Sequence, residues 1–338
     1  MSLNQQQTER LKRCLAHRIP LLDPEHQSAV RLLNGFYEGF PDLVADLFGR
    51  TLVLSAYSRN ADMADDGTGL LQAFFLEQLP WIETVLVKAR HIDADLRRGT
   101  ITCGSQLQRS IWENGIQYAL DLQLNQDASF YLDTRHLRFW LHDNLAGKSV
   151  LNSFAYTGTL GIAAMAGGAS TVAQTDINPR FLALARESTR LNRLPGNQIN
   201  TITMDFFKVI DRFKTSQTLF DCIILDPPFF STTTAGKVDL VGEYKRLINK
   251  VRPLVGHDGW LVLINNALFV SGAEMMAQLN LLCGGPYLQI HELITVPEDV
   301  TGYGDTITTP PPADPAPFNH PTKIAILKVT RKDGCKAG

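Results

Sequence analysis

Four short stretches carry residue types that could do chemistry, and each follows a strand-like run. The last is the most specific. Asp226-Pro227-Pro228-Phe229-Phe230 follows Cys222-Ile223-Ile224-Leu225, an unbroken apolar run of the kind a parallel sheet buries on both faces. Pro227 and Pro228 remove two backbone donors and fix an extended turn. A carbonyl before or between them can then face a substrate beside the Asp226 carboxylate. An aromatic ring just after them, Phe229 or Phe230, can stack on a planar base. The alternative is a rigid loop that only closes the sheet edge.

The three earlier stretches suit a nucleoside-bearing cofactor. Asn152-Ser153-Phe154-Ala155-Tyr156-Thr157-Gly158 is a turn of small residues whose backbone can approach a ligand closely, before a helix whose first N–H groups can meet a carboxylate. It is not G-x-G-x-x-G, so the dinucleotide fingerprint is absent. In Asp176-Ile177-Asn178-Pro179, Asn178 can cap a helix that starts at Pro179, and Asp176 can accept from both hydroxyls of a ribose. In Asp205-Phe206-Phe207 a carboxylate can accept an adenine amino group while Phe206 packs on the ring. Each has a plain alternative: an ordinary strand-to-helix turn for the first, and a helix cap for Asp176 and for Asp205. The order of all four stretches is what favours a site.

That order needs elements to carry it. From residue 148 onward, strand-like runs alternate with helical ones: 149–154, 159–166, 171–175, 179–191, 199–203, 206–213, 220–225, 240–255 and 260–265. This pattern predicts a mostly parallel, doubly wound α/β sheet, with ligands beyond the carboxyl ends of its strands. Residues 288–296 and 323–329 read as two strands with a proline-rich loop and no helix between them, so an antiparallel pair should close the sheet. Upstream, residues 1–33 read as helical, 35–42 as a turn, and 43–46 with 51–54 as a hairpin. A helix is expected at 69–79, a strand at 84–87, and short strands in 100–125, including 116–122. The expected division is a small α/β domain, 1–125, and a larger Rossmann-like domain, 126–338.

Composition narrows the class. The chain has 338 residues, is 44% hydrophobic and 20% charged, and carries a net charge of −2. It can bury a large core, and its overall charge neither advertises nor excludes a nucleic-acid partner. The five cysteines, Cys14, Cys103, Cys222, Cys283 and Cys335, are scattered without a C-x-x-C pair. This argues against a disulfide framework and a zinc site, and for a reducing cytoplasm. The polar stretch 2–10 is no secretory signal, and no apolar run is long enough to span a membrane. We expect a cytoplasmic protein with no metal.

Taken together, Leu151 to Gly158, Gly167-Gly168-Ala169, Asp176 and Asp226-Pro227-Pro228 resemble the class I ribosomal-RNA methyltransferases that modify large-subunit RNA. That family includes 5-methylcytosine enzymes with a PUA domain and the 7-methylguanine half of a bifunctional enzyme. Glu113-Asn114-Gly115 and Phe130-Tyr131-Leu132-Asp133-Thr134-Arg135 look like its E-N-G and F-x-D-x-R segments, and residues 35–53 look like its glycine-rich hairpin. The resemblance covers roughly residues 35–330. It implies S-adenosyl-L-methionine as cofactor, held by Phe154, Tyr156, Thr157, Gly158, Asp176, Ile177, Asp205 and Phe206, with Asp133 and Arg135 contacting or closing over it. Asp226, Pro227, Pro228 and Phe229 would hold the target base.

Three departures refine the expectation. We expect no N-terminal PUA domain. The C5 enzymes carry a cysteine after the fifth strand, where this chain has Leu263-Ile264-Asn265-Asn266-Ala267-Leu268, similar to the guanine-N7 branch. Cys283 lies in a later helix and reads as an inert thiol. Phe229 stands where relatives often have Lys, Thr or Ser. Covalent attack on a cytosine ring needs a nucleophile, so the acceptor should be a nitrogen. Two groups of basic residues could meet RNA phosphates: Lys88, Arg90, Arg97, Arg98 and Arg109, diluted by Asp93 and Asp95, and Lys245, Arg246, Lys250 and Arg252. The alternative is a solvated face, and with it a protein or small-molecule substrate.

Overall fold

The Asn4 side chain accepts from the Gln7 N–H while the Gln7 side chain accepts from the Asn4 N–H, and this capping box starts α1 (Gln5–Arg18). The structure, a computed structural model, describes residues 3–58, 61–90, 98–233, 235–242 and 244–338. Arg97, Asp93 and Asp95 lie outside the described residues. After α1 the chain does not remain helical to residue 33. Pro20 enters a short 3₁₀ turn, and β1 (Ala29–Asn34) follows. Its short apolar run is ambiguous by periodicity, and pairing with a neighbouring strand decides it.

The chain forms two units: Met1–Asp133 with Pro297–Pro310, and Thr134–Val296 with Pro311–Gly338. In the first unit, α2 (Gly35–Glu38) leads to the expected hairpin of β2 (Leu43–Phe48) and β3 (Thr51–Ala56). There follow α3 (Ala61–Gln78), β4 (Thr84–Ala89) and β5 (Thr100–Cys103), giving a sheet ordered β1-β2-β3-β4-β5. β3 and β4 are parallel, as a crossover through α3 requires. Leu11 and Leu15 of α1 and Leu71 and Phe75 of α3 share one core with Leu32, Leu52 and Val85 of the sheet. A separate hairpin joins β6 (Ser110–Glu113) to β7 (Ile116–Ala119). Its turn residues Asn114 and Gly115 have φ +52° and +72°, the left-handed pair that a two-residue type I′ turn demands. That is the physical reason for the E-N-G segment.

Residues 297–310, which the sequence reading leaves in the larger domain, are held in this unit by a buried ion pair. Arg18 uses every guanidinium donor: two to the Glu38 carboxylate, one each to the carbonyls of Arg31, Cys14 and Asp299. Glu38 also accepts from the Asn34 N–H and the Thr306 hydroxyl, and Asn34 donates to the Val300 carbonyl. All of this is out of water, so full satisfaction is what makes the charges tolerable.

The second unit opens with α4 (Arg135–Asn144). Then come β8 (Ser149–Ser153), α5 (Thr159–Ala166), β9 (Thr171–Asp176), α6 (Pro179–Leu191), β10 (Ile199–Thr203), α7 (Phe206–Thr215) and β11 (Phe220–Leu225). A hairpin of β12 (Phe230–Thr233) and β13 (Gly236–Asp239) precedes α8 (Tyr244–Val251), where a longer helix from 240 was expected. The β-branched threonines before Gly236 favour that hairpin. β14 (Val255–Asn265), α9 (Gly272–Leu282), β15 (Leu288–Ile294), the one-turn α10 (Glu298–Thr301, part of the first unit) and β16 (Lys323–Val329) complete the chain. The sheet order is β10-β9-β8-β11-β14-β16-β15, parallel through β14 and antiparallel at β16 and β15. This is the Rossmann-like arrangement with the antiparallel closing pair expected from sequence.

Replacing Arg18 with Met should strand the Glu38 carboxylate without its partner. The expected loss is about 3–5 kcal/mol of unfolding free energy in urea titration. A change under about 1 kcal/mol would mean that the pair does not anchor residues 297–310.

Candidate functional site at the carboxyl edge of the sheet

Strand register places the four stretches in one row. Ser153 of β8 pairs with Thr175 of β9 and with Leu225 of β11, Leu225 pairs with Leu263 of β14, and Thr203 of β10 pairs with Asp176. Phe154, Asp176, Asp205, Asp226 and Asn265 therefore all emerge at the same edge.

The first loop is held in a costly conformation. Phe154, Tyr156 and Gly158 have φ +56°, +50° and +79°. Left-handed backbone costs a side-chain-bearing residue roughly 1–2 kcal/mol. Asp176 offsets it: one carboxylate oxygen accepts from the Tyr156 N–H at 2.9 Å, the other from the Asn178 N–H at 2.8 Å. The Ala155 N–H donates to the Thr175 carbonyl, the Phe154 ring stacks on Phe206 at 4.5 Å, and Tyr156 meets Phe181 edge-on. Burial pushes the Asp176 carboxyl above its usual range, against these backbone donors, which pull it down. Thr157 is buried within the loop.

Gly158 begins α5 with no side-chain cap, so that helix N-terminus suits an anionic group. Below it the buried Asn152 and Gln174 amides touch at 3.2 Å. A Cβ on Gly158 would lie 2.5 Å from the Ala185 Cβ and 2.6 Å from Gln174 Oε1. Ile177 is 61% exposed beside Asp176. Phe206, by contrast, is buried with its ring against Phe154, so Ile177 has the open apolar surface. Asp205 does cap α7, accepting from the Phe207 N–H, and its other oxygen accepts from the Thr233 hydroxyl at 2.7 Å.

At the fourth strand end Asp226 is half-buried and Pro227 buried, while Phe229 and Phe230 are 49% and 56% exposed. The Lys237 ammonium lies 5.3 Å from the Phe230 ring centre. The buried Tyr244 hydroxyl donates to the Ile264 carbonyl at 2.9 Å. Burial, and then the Asp226 charge, keep that phenol protonated. At the end of β14, Asn265 accepts from the Ala267 N–H, but its buried Nδ2 meets no acceptor. Leu268 and Phe269 follow, largely exposed. Sequence reading missed these last two. Their signal is two large apolar side chains in succession just past a strand end, where nothing requires burial.

Other expected residues fall differently. Asp133 lies on a 3₁₀ turn that ends the first unit, and Arg135 opens α4 in the second. Cys222 is buried mid-strand, and Cys283 sits half-buried just past α9 rather than inside it; burial raises both thiols. Lys88 is buried, donating to the carbonyls of Asn125 and Asp127, and Arg90 pairs with Asp127 under the Tyr57 ring. Two cations of the first basic group are thus internal braces. Among the described residues no His, Cys, Asp and Glu cluster could hold a metal, and no helix is long and apolar enough to cross a membrane.

Residues 92–293 match the profile of a family described as S-adenosylmethionine-dependent methyltransferases. YwbD of Bacillus subtilis is 28% identical, over 86% of this chain and 73% of its own. Ribosomal RNA large subunit methyltransferase I of Shewanella frigidimarina is 29% identical over 66% of this chain, which spans 56% of that relative's length. The solved structure of SMU.776 complexed with SAH superposes with a TM-score of 0.82 at 23% identity, covering 95% of this chain and 80% of the other.

Gly158→Ala should be costly on two counts, the left-handed φ and the Cβ clash. We expect a loss of at least about 1–2 kcal/mol in chemical denaturation. Unchanged stability would mean that the loop relaxes freely.

Proposed function

The chain belongs to the S-adenosylmethionine-dependent methyltransferase family, and from that premise we propose that it methylates a base nitrogen in ribosomal RNA. The observation that carries this reading is the row of strand ends: a braced loop and Asp176 on two strands, and Asp226-Pro227-Pro228 with exposed Phe229 and Phe230 on the next. The name of the Shewanella relative favours RNA over a protein or small molecule.

S-Adenosylmethionine supplies an electrophilic methyl group. The residues fit it. The uncapped α5 N-terminus suits its carboxylate, Asp176 its ribose hydroxyls, and the open face of Ile177 its adenine, with Phe154, Tyr156, Thr157 and Gly158 forming the loop. Phe206 acts behind Phe154. Asp205 has a second oxygen shared with Thr233 and meets the adenine edge. Arg135, at the start of α4 in the same unit, is assigned to contacting the cofactor or closing over it.

On the acceptor side, Asp226 and the carbonyls that Pro227 and Pro228 hold in place orient the base, while Phe229 or Phe230 stacks on it. The unmatched Nδ2 of Asn265 offers a donor to a base oxygen. Guanine N7 would attack through its lone pair without losing a proton. An exocyclic amine would give its proton to the Asp226 carboxylate, while a backbone carbonyl accepts a hydrogen bond from it. A base within a duplex must first be flipped out. The buried Cys222 supplies no nucleophile. The reaction is assigned to the cytoplasm.

Asp176→Ala should weaken S-adenosylhomocysteine binding by about 1.5–3 kcal/mol in calorimetry. Unchanged affinity in a folded variant would refute the ribose assignment. Asp226→Ala, and Phe229→Ala or Phe230→Ala, should reduce methyl transfer to protein-free ribosomal RNA while cofactor affinity holds, with about 1–3 kcal/mol lost from the stacking ring. Full activity in all three variants would reduce the loop to a sheet closure.

A further inference from the structure

We propose that the groove between α7 and α8 holds the sugar–phosphate backbone of the RNA whose base reaches the carboxyl edge. This rests on the RNA reading above. The groove has a volume of about 640 Å³ and is lined by Lys214, Gly242, Lys245, Arg246, Asn249 and Lys250. Its shape follows from the α8 sequence. Tyr244, Leu247, Ile248 and Val251 face the core, so the intervening positions turn outward, and these carry Lys245, Arg246, Asn249 and Lys250.

Among the described residues, Asp211 lies 3.4 Å from the Lys250 ammonium, and at the Gly242 end of the groove the Asp239 carboxylate accepts from the Gly242 N–H while pairing with Lys237. Burial, and then the neighbouring Lys250, lower the Lys214 ammonium. Cations crowded at a partly desolvated cleft are costly alone, and a polyanion would relieve them. The groove also starts at the right place. Lys245 follows Tyr244, whose hydroxyl is fixed to the Ile264 carbonyl at the end of β14 and whose ring feels the Asp226 charge. From there α8 extends about 12 Å, the rise of roughly three or four nucleotides. In the first basic group, by contrast, Lys88 and Arg90 are consumed internally.

The test is a Lys214→Gln, Lys245→Gln, Lys250→Gln triple variant. Affinity for protein-free large-subunit ribosomal RNA would be measured against KCl concentration, with S-adenosylhomocysteine calorimetry in parallel. Each lost phosphate contact to a single strand lowers the slope of log affinity against log salt by about 0.7, so a drop of about 2 is expected. The corresponding triple Lys→Arg variant should keep the slope, and cofactor affinity should hold in both. Wild-type binding with an unchanged slope in the Gln variant would overturn the groove alone. A wild-type protein with no RNA affinity would overturn the groove and the RNA reading together. Equal wild-type affinity for poly-glutamate would assign the groove to acidic peptides and refute the proposal.

Discussion

Both oxygens of Asp176 are engaged by backbone N–H groups, one from Tyr156 across the β8 turn and one from Asn178 along its own chain. The rest of the site depends on that brace. Phe154 and Tyr156 hold φ values that side-chain-bearing residues avoid, and Asp176 fixes them together with the Ala155 N–H on the Thr175 carbonyl. The register of β8 with β9 sets Asp176 within reach of the loop. A ligand hydroxyl arriving at this carboxylate would find an acceptor already fixed, with raised basicity and no rotamer to freeze. The same hydrogen bonds that relieve strain in the loop also hold the carboxylate in place.

Charge tells a parallel story. A net charge of −2 says nothing about where cations point. In the first unit Arg18, Lys88 and Arg90 are spent on carbonyls and carboxylates inside the protein. On α8, Lys245 and Arg246 face outward because the helix buries every position it can on its other side. Two basic groups that look alike in sequence are therefore disposed differently: Lys88 and Arg90 of the first turn inward, while Lys245 and Arg246 of the second turn outward.

The row of strand ends was legible because its signals are local. Apolar runs mark β8 and β11, Asn178-Pro179 marks the start of α6, and Gly158 marks a turn. What was not legible depends on distant partners. β1 reads as helix until β2 is there to pair with it, and β12 and β13, to which the sequence reading assigns no element, become strands only by pairing with each other. Asp205 looks the same whether it caps α7 or waits for an adenine, and only the fold shows that one oxygen is taken by the cap. Phe206 reads as a ring surface, yet Phe154 covers it. The insertion of residues 297–310 into the first unit is invisible without Arg18 and Glu38 beside it.

That insertion also orders events in time. A ribosome delivers the chain from its N-terminus, so Arg18 waits without Asp299 through most of synthesis, and the first unit cannot finish until residue 310 has emerged. β16 comes later still, yet it lies between β14 and β15 in the sheet. Until it arrives, β14 has a bare antiparallel edge and β15 has no ladder. The nascent protein thus carries two unpaired strands that one late segment must bridge, and it is then that a chaperone, or a neighbouring nascent chain, would find most to bind.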